Sequence, residues 1–231
     1  MKKRFAGILL FAVSVLVAPV FPPARQQGEK PKPAPNTKEA LEQIAKVGVE
    51  TVLSFLLDTQ TTVSAVRLDL ENQRLEIQGL AIANPKGFNT ENAAFSAERV
   101  LVEADPLVLF SPTATVRLIE VEGAAVHAES QLGRGFNLKK LLDNVNRFKG
   151  PRPRDEKRWV LEKGLLKGCI FRFSSDIPNR KLEYPLDTLE FSMKGPHGEG
   201  VTADKIVAEV LTKLIDEFQK GNRDTLGDAL R

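Results

Sequence analysis

The apolar residues of this chain change period along its length, and that change limits the fold more than any composition figure does. From Asn36 the spacing is helical. Leu41, Ile44, Ala45, Gly48, Val52, Phe55 and Leu56 fall on one face to about Asp58, and Glu39 stands three residues after Asn36 in capping-box register. After Asp58 the period becomes two. Val66, Leu68 and Leu70 alternate with Arg67 and Asp69, Leu75 and Ile77 alternate with Glu76 and Gln78, and Glu71-Asn72-Gln73 suits the turn of a hairpin. At Gly79 the apolar phase shifts to Leu80 and Ile82, which predicts a β-bulge.

Past the turn Asn84-Pro85-Lys86-Gly87-Phe88, strand-like runs cover residues 94–104, 114–122 and 124–129. Gly87 is expected to take a positive φ, as the last position of Asn-Pro-Lys-Gly requires. A short helix follows, with Asn137 as N-cap and Leu138, Leu141, Leu142, Val145 and Phe148 on one side. Residues 149–158 read as a basic surface linker. Strands resume over 159–166 and 169–173, then, after a loop holding Pro178 and Pro185, over 186–193. A last amphipathic helix starts after Thr202 and carries Ile206, Val207, Val210, Leu211, Leu214, Ile215 and Phe218. Adjacent strands joined by short turns, with helices at the beginning, middle and end, predict an α+β fold in which amphipathic helices cover one curved, groove-like antiparallel sheet.

The N-terminus has a different character. Met1-Lys2-Lys3-Arg4 precedes the uncharged stretch 5–24, the order of a charged and then an apolar region in an export signal. The apolar part, 5–20, is long for a secretory signal and short for a spanning helix, so both a cleaved signal and a retained inner-membrane anchor stay open. The only cysteine is Cys169, so this end offers no thiol for a lipid. Residues 25–36, with Pro31, Pro33 and Pro35, form an extended spacer. The expected division is therefore 1–24 as signal or anchor, 25–36 as linker, 37–148 as a first lobe, 149–158 as a basic linker, and 159–231 completing the same domain. The expected location is the periplasm, either soluble or tethered, with membrane contact through 5–24 if they stay.

Charge narrows the partners. Of 33 basic residues, Lys2, Lys3 and Arg4 belong to the leader, which leaves 30 against 30 acidic ones. A neutral body lacks the basic field that phosphate backbones require, so nucleic acid is not expected. Chemistry is sparse as well. His127 alternates with Ala125 and Glu129 on the polar side of a strand, His197 lies in a glycine-rich loop without phosphate-loop spacing, and Cys169 shares a face with Phe171 and Phe173. No nucleophile, base or metal cluster emerges, so neither an enzyme nor a cofactor is expected. The run Lys149, Arg152, Arg154, Lys157 and Arg158, with Trp159 beside it, is a candidate contact for lipid phosphates, although a solvated linker has the same composition.

The segment 79–88, with Asn84-Pro85-Lys86-Gly87-Phe88 at its end, resembles the start of AsmA-like envelope proteins after their second strand. Residues 99–109, the helix of Asn137, Leu138, Leu141, Leu142, Asp143 and Asn144, and the stretch 189–217 are also similar to that family, as a short single-unit member. The resemblance implies an envelope protein without catalytic residues, in a superfamily linked to phospholipid transport and outer-membrane homeostasis. Its sheet would form a groove with an apolar floor, here Val66, Leu68, Leu75, Ile77, Val100 and Val102. About eight strands at about 4.8 Å spacing make such a groove only about 35 to 40 Å long. Two functions follow as expectations: binding of a phospholipid or fatty acyl chain in the groove, or a structural adaptor docking on other envelope proteins with no ligand of its own.

Overall fold

The structure, a computed structural model, describes residues 37–104, 113–147, 158–176, 180–195 and 197–229. Helix α1 (Thr37–Leu57) buries Ala45, Val49, Leu53, Leu56 and Leu57. It stops where Asp58 turns left-handed, at φ +51°. The Thr59 N–H then reaches back to the Ser54 carbonyl at 3.2 Å, the six-to-one bond of a Schellman motif. Asn36, the expected partner of Glu39 in the capping box, lies outside the described residues.

The polar side of α1 has a task too. It lies along the edge strands β1 (Thr61–Thr62) and β2 (Ala65–Asp69). Ser54 accepts the N–H of Thr61 at 2.9 Å, Glu50 that of Val63 at 2.8 Å, and Glu42 that of Leu68 at 2.9 Å. An open strand edge invites pairing with another chain, and α1 closes this one with carboxylates and a hydroxyl.

The chain continues through β3 (Arg74–Ala83), β4 (Ala93–Ala104), β5 (Thr113–Glu122), β6 (Ala125–Gln131), β7 (Gly135–Phe136), α2 (Asn137–Arg147), β8 (Arg158–Lys167), β9 (Cys169–Ser175), β10 (Arg180–Leu186), β11 (Leu189–Met193) and α3 (Ala203–Ala229). The fold is α+β, with helices at the beginning, middle and end and a large curved sheet of 11 strands, where about eight were expected. Two details depart from the expectation. The sheet is mixed: β5 pairs with β8 and β6 with β9 in parallel, and the other described pairings are antiparallel. The reason is α2, which lies between β7 and β8 as a crossover, so that β8 enters alongside β5 in the same direction. The second departure is β10, read as a loop because of Pro185. Among the described residues it pairs only with β9, and an edge strand tolerates a proline because one row of its N–H groups has no ladder partner.

Gly79 shows where the curvature comes from, and it is not a bulge. The β3–β4 register runs unchanged through it, from Gln78↔Arg99 to Leu80↔Ala97, so no residue is inserted. Instead Gly79 lies level with Glu98, Glu98 with Gly123, and Gly123 with Gly168, as the flanking registers fix. The three glycines share left-handed backbones, at φ +62°, +61° and +59°. At this one row the inward phase switches in every strand: Ile77 to Leu80, Ala97 to Val100, Val121 to Ala124, Leu166 to Cys169. The row is a crease across four strands, and β5–β6 and β8–β9 are each one long strand folded at it.

The three helices among the described residues all pack on the concave side. Val66, Ile77, Val100, Val126, Leu161 and Phe171 of the sheet join Leu53 of α1, Leu141 of α2 and Leu211 of α3 in one continuous core. The α2 residue Asn144 ties α1 by donating to the Leu57 carbonyl at 2.8 Å. The convex side along the crease is ionic. Arg99 meets Glu76 at 2.9 Å and Glu122 at 3.0 Å, and Lys167 meets Glu120 at 2.5 Å.

Candidate functional site

The Asn84–Phe88 motif is the best starting point, because the sequence singles it out. The Phe88 N–H closes a turn on the Pro85 carbonyl at 3.2 Å. Gly87 has φ +100°, as expected of its position in the turn. Phe88 is buried, Lys86 is exposed, and the Arg134 guanidinium donates to the Gly87 carbonyl. Asn84 donates to the carbonyls of Asn89 at 2.8 Å and Asn92 at 3.1 Å, and accepts from Asn137 at 2.7 Å. The motif thus folds its own loop, 84–92, and fastens it to the start of α2.

Asn137 is fully buried. Its side-chain oxygen accepts the N–H of Leu138, the next residue rather than the second or third that an N-cap would take, and also that of Glu129, both at 2.8 Å, while its amide donates to the His127 carbonyl at 2.7 Å. Glu129 is a residue whose role the sequence concealed. Its carboxylate takes the N–H of Asn89 at 2.9 Å and the side-chain amide of Gln131 at 2.5 Å. It read as a solvated strand residue, and no local signal distinguishes it from one.

The six groove residues do come together on one face, but that face is closed. Ile77, Val100 and Val102 are at most 1% exposed, and Val66, Leu68 and Leu75 at most 7%. All six belong to the core that the helices cover, so the expected open floor is corrected to a packed interior. The membrane-contact group divides. Lys149, Arg152, Arg154 and Lys157 lie outside the described residues. Arg158 is exposed and donates to the Gly200 carbonyl at 3.3 Å. Trp159 is 0% exposed, so it is not an interfacial aromatic: the inward alternation of β8 places it in the core, and its backbone pairs with Val201.

Among the clefts between the described residues, two bear on the site. One, of about 630 Å³, lies between α2, β11 and α3, with Leu142, Met193, Val201 and Ala208 in its lining and Lys194, Lys205 and Glu209 among its polar groups. The other, of about 540 Å³, lies where the 84–92 loop overhangs the convex faces of β6, β9 and β10. His127 lines this second cleft, half-buried, with Arg172 3.3 Å from its Nε2. Burial, and then the Arg172 charge, hold its pKa below the ordinary imidazole range. Cys169 is in the core, where burial pushes its thiol up to about 12.

Among the described residues no group of three or more His, Cys, Asp or Glu is placed to hold a metal ion, and no helix is long and apolar enough to cross a membrane. The chain matches no family model, no curated protein and no solved structure.

Proposed function

We propose that the chain is a non-enzymatic, AsmA-like module of the bacterial envelope, periplasmic or tethered by residues 5–24, that acts as a structural adaptor for other envelope proteins. One observation carries this reading: the sheet face expected to hold an acyl chain, from Val66 to Val102, is already filled by the chain's own helices. A bound methylene contributes about 0.8 kcal/mol when it leaves water, but here it would have to displace side chains that already have that contact. The ionic convex face offers no replacement.

A second reading, binding of a phospholipid or fatty acyl chain, keeps one specific support. The cleft of about 630 Å³ between α2, β11 and α3 has an apolar lining and falls within the usual size of a ligand site. Native mass spectrometry of the full chain extracted from membranes, together with titration of a fluorescent fatty acid, separates the two. The adaptor reading expects no stoichiometric lipid, no saturable uptake, and discrete cross-linked species from a photoreactive residue at exposed Val47 in cells. Saturable uptake that Ala208→Trp abolishes would overturn it in favour of the second.

A further inference from the structure

The cleft under the 84–92 loop has a chemistry of its own. Its floor is two aligned rows of outward side chains, His127–Arg172–Glu183 and Glu129–Ser174–Lys181, fixed by the registers of β6, β9 and β10. Its overhanging wall is Asn84, Asn89, Glu91 and Asn92. The parts hold one another in place. Asn89 accepts the Glu91 N–H at 2.7 Å and donates its own N–H to Glu129, Asn84 gathers the loop carbonyls, and Arg172 is fixed to Glu183 at 2.8 Å. A site whose polar groups are already ordered loses little entropy when a ligand arrives.

The charges select the ligand. Two cations, Arg172 and Lys181, face three carboxylates, Glu91, Glu129 and Glu183. An anion would meet the carboxylates, and a cation the guanidinium and ammonium groups. A neutral ligand that both donates and accepts, many times over, suits all of them, and a hydroxyl is one donor with two acceptor lone pairs. A peptide backbone has the same mixed character but is recognised along a free strand edge or in an apolar groove. Here the floor strands are paired with one another along the cleft and present side chains to it, and the unpaired edge of β10 lies on its other side, away from β9. We propose that this cleft binds a neutral, hydroxyl-rich ligand, a stretch of glycan, independently of any protein on which the chain docks.

The test is a titration of the full chain in detergent, followed by the amide resonances of Asn89, His127 and Arg172. The probes are cellotriose, maltotriose and chitotriose, with trialanine and inorganic phosphate as comparisons. At least one trisaccharide should shift these resonances saturably. Arg172→Gln should weaken it about tenfold, the scale of one charge-assisted hydrogen bond. Ser174→Leu, which blocks the floor without touching the Arg172–Glu183 pair, should abolish it, and both variants should keep the wild-type melting temperature. The proposal is overturned if no trisaccharide shifts these resonances, if only phosphate or the peptide does, or if folded Ser174→Leu binds as tightly as wild type.

Discussion

The side-chain amide of Asn137 donates to the side-chain oxygen of Asn84 at 2.7 Å, across 53 residues of sequence. The contact joins the Asn-Pro-Lys-Gly-Phe turn to the helix that begins at Asn137. Each asparagine satisfies backbone groups that the loop and the helix start would otherwise bury unpaired, which gives a structural reason for amides at both places.

Replacing Asn137 by alanine removes four hydrogen bonds at a fully buried position. The N–H of Glu129 and the carbonyl of His127 then lose their partner inside the protein. Unpaired buried groups cost about 1 to 3 kcal/mol each and are not additive, so the expected loss is about 3 kcal/mol. Urea denaturation measures it. A loss under about 1 kcal/mol would mean that the loop and helix do not depend on this link.

The crease makes a prediction that separates two effects. Gly79 has φ +62°, and a Cβ there would come within 2.9 Å of the Ser64 Cβ, an atom fixed to the backbone. Gly133 has φ +75°, with nothing within 4 Å of its would-be Cβ. Gly133→Ala should therefore cost only the backbone term, about 1 kcal/mol, and Gly79→Ala about 3 kcal/mol or more. Equal losses in thermal unfolding would show that close packing at the crease is not what requires glycine.

Glycine at Gly79 and the phase shift around it are legible in the chain, but the crease is not. A local pattern cannot tell an inserted residue from a fold line, because the difference lies in whether Glu98, Gly123 and Gly168 stand level with it, and that is a matter of long-range register. The same limit explains the parallel pairs, since α2 reads as a helix but not as a crossover. It explains Trp159 too, which inward alternation puts in the core, while its basic neighbours suggest a surface. The helices and the longer strands were legible because their burial is one-sided and periodic. Asn84 and Asn137 were legible as turn and helix-start residues, but their link to each other and to Glu129 was not, because it depends on tertiary partners that no local pattern shows.

High pH should weaken the fold in a defined window. Burial raises the Cys169 thiol from its ordinary 9.0 to about 12. Tyr184 also rises from 10.0 to about 12, through burial first and then the charge of Glu217. A raised acid stays protonated in the folded chain while the unfolded chain ionises, so its contribution is complete below the unfolded value and declines as pH rises towards the folded one. Stability should start to fall near pH 9 through Cys169 and fall faster above 10 as Tyr184 joins, each by at most about 1.4 kcal/mol per pH unit. Cys169→Ala should remove the first part of the decline. If that variant follows the wild-type curve from pH 9 to 10, the thiol does not contribute.

The last prediction concerns how α3 holds the far edge of the sheet. Phe218 stacks on Phe136 at 5.2 Å and on Phe171 at 5.4 Å, and meets Phe173 in a tilted contact at 4.7 Å, while Phe171 stacks on Tyr184 of β10 at 5.5 Å. One helix residue therefore joins β7 and β9 directly and reaches the edge strand β10 through a single ring. Among the described residues β10 has β9 as its only strand partner, and it carries Pro185, so it depends on this cluster more than any inner strand does. Phe218→Ala should cost about 3 to 5 kcal/mol in global stability, as loss of a core aromatic does. It should also act locally: amide exchange in β10 should accelerate by more than the global change predicts, while β3 and β4 follow the global change alone. If exchange rises uniformly across all the strands, β10 is held by its pairing with β9 and not by the aromatic cluster.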